Sequence, residues 1–494
     1  MKGPGDSRQM TVFRSRTLSC FSVLLISATL EAGSENPRWM KHTVLQASNP
    51  RTAIAADFTG DGLLDVVSSF GTTRLYIAPD WNPVTIGGRN FIHSEVFDVD
   101  DDGDPDYIGA DYSPSQIEWF ECPDDPASDP WTVHLVDDLV NGTHGLIKGD
   151  VDGDDKFDLI AGSALSTGPF PESLVWYRVP ENPRTAERWE RYVFADQDAP
   201  GLGHYSGFGD VNGDLRPDAA HGAKGGPTAP PGSGEWFAWW EAPEDPEGVW
   251  TKHLISDQQP GATNIHPADV DNDGEVDFIA SRGHGVGVIW FEAPNWTEHT
   301  IDATIREPHC LTVADIDRDG DVDAATCAFG STTTAWYENN GRGGFTTHIL
   351  DTSQAAYDIR ALDMEGDGDL DLLVAGQNSA NVVWYEQLSF QLPGDCNQDS
   401  ALDISDAVCT LNALFKGAPF VFPCGDGTAT DPGNIALLDW QPDGSVDLSD
   451  AVSLLTYFFQ DSAPHTLAVP PAETEMCVQI PGCPANSDCL QIDA

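Results

Sequence analysis

Apolar residues fall in short runs separated by acidic loops over most of the chain, and the runs repeat. Seven loops opening at Asp57, Asp98, Asp150, Asp210, Asp269, Asp315 and Asp363 are each followed by a strand-sized apolar stretch, at Val66-Val67, Tyr107-Ile108, Leu159-Ile160, Ala219-Ala220, Phe278-Ile279, Ala324-Ala325 and Leu372-Leu373. A second strand carries paired aromatics in six repeats: Trp119-Phe120, Trp176-Tyr177, Trp239-Trp240, Trp290-Phe291, Trp336-Tyr337 and Trp384-Tyr385, with Tyr76 alone in the first. A third alternates apolar and polar residues, as at Trp131 to Val136 and Phe345 to Leu350, which is the period of a half-buried strand. Successive loops start 41 to 60 residues apart, room for a four-stranded blade with variable connections. The stretch from Trp39 to Leu45 reads as an outer strand before the first loop, and the seventh repeat ends after Glu386 without one. The N-terminal strand is therefore expected to complete the last blade, closing a ring with no exposed edge. The pattern predicts a mainly β chain, a seven-bladed β-propeller over residues 37–390, with Trp and Tyr packed between blades rather than stacked on a ligand.

The loops have a chemistry of their own. In Asp269-Val-Asp-Asn-Asp-Gly-Glu-Val-Asp277 carboxylates stand at positions 1, 3, 5 and 9, and Gly274 supplies a left-handed turn at position 6. Calcium takes six to eight oxygens at roughly 2.3 to 2.6 Å and suits this set. An EF-hand opens the same way but continues to a ligand at position 12 and into a helix, whereas here a strand follows. The expected ligands are Asp57, Thr59, Asp61 and Asp65; Asp98, Asp100, Asp102 and Asp106; Asp150, Asp152, Asp154 and Asp158; Asp210, Asn212, Asp214 and Asp218; Asp269, Asp271, Asp273 and Asp277; Asp315, Asp317, Asp319 and Asp323; Asp363, Glu365, Asp367 and Asp371. Asp155 replaces the glycine in the third loop and Leu215 in the fourth, where tight calcium binding is not expected. The repeated loop and strand resemble the FG-GAP and VCBS family, as in the propeller of integrin α-subunits. The resemblance covers about 350 residues.

After Pro393 the pattern changes. Asp395, Asn397, Asp399, Asp403 and Asp406 occupy positions 1, 3, 5, 9 and 12 of a longer loop, and Asp439, Gln441, Asp443, Asp447 and Asp450 repeat the layout 44 residues later. Helices are predicted beyond them, with Ser405 and Ser449 as N-caps and one apolar face from Val408, Leu411 and Phe415, or Val452, Leu455 and Phe459. The duplication over residues 393–465 resembles a type I dockerin, a small α-helical EF-hand-like domain. That resemblance implies two calcium loops and a cohesin-like partner read through Ile404-Ser405 and Leu448-Ser449, where the apolar first residue departs from the usual hydroxyl pair. The Pro- and Gly-rich segment from Gly417 to Gly433 is also longer than in compact dockerins.

Charge and address narrow the partners. The 80 acidic residues against 24 basic ones leave a formal charge of −56, which excludes a nucleic-acid partner. Residues 1–33 have the basic start, the apolar core from Leu18 to Leu30 and the small residues Ala28 and Ala32 of a secretory signal. No later run is long enough to span a membrane. A secreted or cell-surface protein is expected, meeting calcium and an oxidising milieu. Cys310 and Cys327 lie nearly symmetrically about the sixth loop, where a disulfide and two free thiols are both open. Cys396, Cys409, Cys424, Cys477, Cys483 and Cys489 gather in the last hundred residues, the final ones in a tail over residues 466–494.

Function rests on histidines. His144, His204 and His309 stand six residues before the first aspartate of their loops, His93 five before and His266 three before. If each inner strand runs from this point to its loop, these residues ring the opposite mouth, and the long connections from Ala164 to Glu172 and from Lys224 to Glu235 fall on the same face. Either the imidazoles cap the inner strands against the neighbouring blade, or they converge to bind a metal, hydrogen-bond a sugar or move a proton. The first reading makes the propeller a binding module for a glycan or an extracellular protein. The second makes it a carbohydrate-active enzyme of the lyase or sugar dehydratase type, with a catalytic subset of those five histidines.

Overall fold

The computed structural model describes residues 38–467, except 48, 114, 230, 231, 389, 400, 418, 426 and 461, together with residues 477–480 and 483. The expected signal segment and Cys489 lie outside these residues. The chain divides into Met1–Ala32 and Gly33–Ala494, and everything below belongs to the second unit.

Seven four-stranded antiparallel sheets are present, with a two-stranded ribbon beyond them. Their innermost strands are Ala53–Ala56, His93–Phe97, Thr143–Gly149, Gly203–Gly209, Asn264–Ala268, Pro308–Ala314 and Asp358–Leu362, one for each of blades 1 to 7. Each inner strand packs against the next, and the seventh packs against the first. Glycine lets these strands approach near the axis: a Cβ at Gly207 would lie 2.2 Å from the carbonyl oxygen of Ile265 in the neighbouring blade. Each acidic loop follows an inner strand and leads into the second strand, as expected.

Closure is by the N-terminal strand. Trp39–Gln46 pairs antiparallel with Asn381–Gln387 as the outer strand of blade 7, Trp39 lying opposite Gln387 and Gln46 opposite Asn381. Trp39 then meets Trp336 of blade 6 edge to face, at 6.0 Å between ring centroids. The protein is mainly β, a seven-bladed propeller with few helices, and no described helix is long and apolar enough to cross a membrane.

The core is divided among the blade interfaces. Seven apolar clusters each lie between two adjacent blades, the one between blades 6 and 7 also taking in Tyr205 of blade 4, and the aromatic pairs fill them. Trp119, Trp176, Trp240 and Trp336 are fully buried, which places them in the packing rather than on a ligand surface. A second use of the pair was not foreseen. In blades 2, 4, 5, 6 and 7 the first tryptophan stacks on a histidine of the outer strand (His134, His253, His299, His348 and His42) at 4.2 to 4.5 Å. The same histidines reach a glutamate of the tryptophan's strand (Glu121, Glu241, Glu292, Glu338 and Glu386) at 2.5 to 2.9 Å. The motif pins the outer strand to its neighbour, so these histidines belong to the blades and not to a site.

The C-terminal region holds α1 (Ile404–Lys416), α2 (Pro432–Leu438) and α3 (Leu448–Gln460). Two expectations fail here. The N-cap of α1 is Asp403, not Ser405: its carboxylate accepts from the Ser405 amide while Asp406 bonds the Asp403 amide. Asp447 and Asp450 repeat this at α3, with Ser449 donating its amide to Asp447 at 2.7 Å. A carboxylate two residues earlier reaches the free amides better than the serine hydroxyl. The expected apolar face is also split. Leu411 and Leu455 pack between α1 and α3, whereas Val408 and Phe415, 50% and 68% exposed, and Val452 and Phe459, 48% and 68% exposed, face outward. Disulfides join Cys396 to Cys409 and Cys424 to Cys483, and Cys477 is also disulfide-bonded. Cys310 and Cys327 do sit opposite each other on adjacent strands, as buried free thiols.

Removing residues 1–47 should strip the outer strand from blade 7, exposing its hydrogen-bonding edge and Trp336. The melting temperature is expected to fall by about 10 °C or more, with concentration-dependent association in size-exclusion chromatography. An unchanged melt would mean that the ring does not depend on this strand.

Candidate functional site

The acidic loops occupy one end of the inner strands. In all seven the amide of the sixth residue donates to the first aspartate, at 2.8 to 3.1 Å, which folds the loop back on itself. That sixth residue has positive φ throughout, including Asp155 at 67° and Leu215 at 70°. The ninth aspartate is buried in every blade. It accepts an amide from the start of its own loop, and in six blades a second from the residue ending the third strand, as when Asp277 receives Val270 at 3.1 Å and Ala293 at 2.8 Å. This residue is therefore a staple as well as an expected ligand.

The third position carries the charge problem. Asp100 Oδ1, Asp152 Oδ1, Asp271 Oδ1 and Glu365 Oε2 are buried with no hydrogen-bond partner. Asp98, Asp100 and Asp106 bring one oxygen each within 4.8 Å of one another, as do Asp150, Asp152 and Asp158, Asp269, Asp271 and Asp273, and Asp315, Asp317 and Asp319. Burial, then the neighbouring carboxylates, push Asp317 up to about 7. Burial raises Asp100 to about 6, with Asp102 adding to it. Orphaned oxygens on mutually repelling carboxylates fit a divalent cation. The fourth loop differs: Asn212 accepts from the Asp214 amide at 3.0 Å, and Arg216 pairs with the Asp214 carboxylate.

At the other end of the inner strands the expected histidines separate into two groups. His93 and His266 are caps. His93 Nδ1 accepts the Leu146 amide of blade 3 at 3.0 Å and its Nε2 meets Arg360 at 2.6 Å, while His266 Nε2 donates to the Leu311 carbonyl of blade 6 at 3.1 Å. His144, His204 and His309 converge instead. The rings of His144 and His204 lie 4.1 Å apart, and His309 lies 5.7 and 5.9 Å from them. Burial lowers all three, and neighbouring imidazoles lower them further.

Above this cluster opens a cavity of about 340 Å³ lined by Arg51, Ile92, Tyr112, His144, Ala164, Leu165, Leu202, His204, Lys224, Thr228, His284 and Tyr357. Both long connections reach it, as expected, through Ala164, Leu165, Lys224 and Thr228. Among the described residues no carboxylate lines it. Burial lowers Lys224. A neighbouring recess of about 570 Å³ shares Lys224, Thr228 and His284 and adds Arg282 and Glu235. Tyr357 Oη lies 2.8 Å from His144 Nε2, and His284 Nε2 lies 2.9 Å from His204 Nε2.

Tyr357, Arg51, Lys224, Tyr112 and His284 were not foreseen. A signal existed for two of them. Tyr357 and Arg51 stand six residues before Asp363 and Asp57, the register of His144, His204 and His309. Following the register rather than the residue type would have found them. His284 lies in the turn after the second strand of blade 5, with no periodic marker.

Residues 269–326 and 315–374 match the model of the FG-GAP-like repeat, and the chain carries such repeats in its propeller. No curated protein matches the chain. Among solved structures it is similar to one described as the structural basis of specific recognition of non-reducing terminal N-acetylglucosamine by an Agrocybe aegerita lectin, at 16% identity and a TM-score of 0.43, over 69% of this chain and 85% of that one. It is also similar to BBS1N in complex with ARL6DN, soaked with lead, at 10% identity and a TM-score of 0.48, over 71% and 97% of the two chains.

Leu215 holds a left-handed backbone that glycine adopts without cost, and its side chain is 91% exposed. Leu215→Gly should raise stability by about 1 kcal/mol in urea unfolding. A loss would mean that the Leu215 side chain makes a contact that matters.

Proposed function

We propose that this chain is an exported, calcium-stiffened propeller that binds an acidic glycan at the mouth opposite its acidic loops. One observation carries the reading: in a chain of formal charge −56, the mouth cavity presents Arg51 and Lys224 and, among the described residues, no carboxylate. Such a patch attracts a carboxylate- or sulfate-bearing ligand while the remaining surface repels it. Tyr112, Tyr357 and the imidazoles add hydroxyl and ring-nitrogen partners for sugar hydroxyls.

Calcium is assigned to the loops of blades 2, 3, 5 and 6 on the strength of their orphaned or crowded carboxylates, and the first and seventh loops are expected to bind it too. The C-terminal region acts as a dockerin-like attachment domain. Its support is the duplicated loop and helix, with Ile404, Val408 and Phe415 exposed on α1 and Leu448, Val452 and Phe459 on α3. Two matched apolar rows suit a cohesin-like protein partner.

A second reading has its own observation. The hydrogen bond between Tyr357 Oη and His144 Nε2 joins two proton-carrying groups at the cavity wall, which favours a carbohydrate-active enzyme that moves a proton on its bound sugar.

The protein, in millimolar calcium, is to be incubated with neutral and acidic polysaccharides, scoring retention and release of small products. Retention on acidic polymers alone is expected, weakened about tenfold or more in Lys224→Ala; equal retention on neutral polymers would overturn the electrostatic reading. Product release lost in Tyr357→Phe would establish the enzyme. Chelation by EDTA should lower the melting temperature by about 10 °C or more, and a melt indifferent to it would remove calcium from the loops.

A further inference from the structure

The three converging imidazoles sit in a state that a glycan-binding cavity does not require. His309 Nδ1 donates to the Tyr357 carbonyl at 3.0 Å, so its Nε2 carries a bare lone pair, and that Nε2 is buried with no hydrogen-bond partner. His204 Nδ1 donates to the Leu202 carbonyl at 3.0 Å, so its Nε2 is an acceptor, and it takes the Nε2–H of His284 at 2.9 Å. His144 engages Tyr357 through Nε2 and has a buried Nδ1 without a partner. One ring nitrogen from each of the three lies within 4.8 Å of the others. The orphaned nitrogens of His144 and His309 have neither donor nor acceptor in this shared space.

Orphaned nitrogens in a buried space are costly unless a cation stands between them. A backbone carbonyl fixing Nδ1–H so that Nε2 faces inward is the support that metal-ligating histidines receive. We propose that His144, His204 and His309 bind a first-row transition metal ion of the Zn²⁺ class, with His284 as the outermost donor where the site opens on the cavity. Neutral imidazoles without carboxylate or carbonyl ligands select such an ion over calcium. Zinc–nitrogen distances of roughly 2.0 to 2.1 Å require the nitrogens to draw closer around the ion. Metal binding here is separate from the acidic loops, which lie at the opposite end of the inner strands, and does not depend on what the cavity takes.

The test uses untagged full-length protein in millimolar calcium, which keeps the acidic loops from competing, titrated with Co²⁺ and then Zn²⁺. One tightly held ion per chain is expected, with cobalt giving the visible absorption of a low-symmetry nitrogen site. His204→Ala and His309→Ala should each weaken uptake by about 100-fold or more. His266→Ala and Tyr357→Phe should retain it, the latter because the carbonyl that orients His309 is backbone. X-ray absorption of the zinc-loaded wild type gives an answer even if the histidine variants do not fold: three or four nitrogens at about 2.0 Å support the site. Absence of stoichiometric uptake, uptake indifferent to both substitutions, or a shell of oxygens alone would overturn it.

Discussion

Each blade depends on one buried carboxylate. In six of the seven blades the aspartate at the ninth loop position joins two segments far apart in sequence, the start of its own loop and the exit of the third strand. Asp371, for instance, receives the amides of Met364 and Gln387. Its burial raises the proton affinity of the group; Asp106 is pushed up to about 8 despite two amide donors. That cost is offset only because otherwise unpaired backbone amides are satisfied at the points where strands begin and end. The loop, the second strand and the third strand are thereby fixed as one unit before any blade packs on another. The same aspartate starts the second strand, so loop geometry and strand register cannot vary independently.

Regular blades make the two ends of the propeller chemically unlike. One end of each inner strand leads into an acidic loop, while the other carries the residue six positions earlier. Arg51, Ile92, His144, His204, Thr263, His309 and Tyr357 hold that register in blades 1 to 7. Three of these positions lie within their inner strands and four just before them, and their side chains are basic, aliphatic, imidazole, hydroxyl or phenol from blade to blade. Negative charge accumulates at the loop end, where it folds the blades. The mouth is left free to be basic and imidazole-rich.

The repeat, the blade count and the closure by the N-terminal strand were legible because each rests on a period that survives in the residues. Aromatic pairs at a fixed offset from an acidic loop cannot be a coincidence of composition when they recur six times. The mouth was legible only in part. Counting histidines found His144, His204 and His309, but it also gathered His93 and His266, whose ring nitrogens are taken by adjacent blades. Residue type does not distinguish a cap from a ligand; the hydrogen bond on the other nitrogen does, and that is a property of the assembled ring. Serine as the helix cap failed for a similar reason, since Asp403 competes for the same amides with a stronger acceptor.

The contrast between the two sets of buried groups decides where chemistry resides. Outer-strand histidines such as His134 are satisfied on both counts, their rings stacked on tryptophan and a nitrogen bonded to glutamate. Arg360, half-buried on the inner strand of blade 7, is surrounded by Glu95, Asp358 and His93. The unsatisfied nitrogens of His144 and His309 stand apart from both patterns. Ordinary packing would have supplied them with a hydroxyl or a carbonyl, as it does for His266 and for His221, whose Nδ1 meets Ser206 Oγ at 2.9 Å. Among the described residues of the propeller, the imidazoles left with a buried nitrogen lacking a partner are those of His144 and His309, both at the mouth where the inner strands converge.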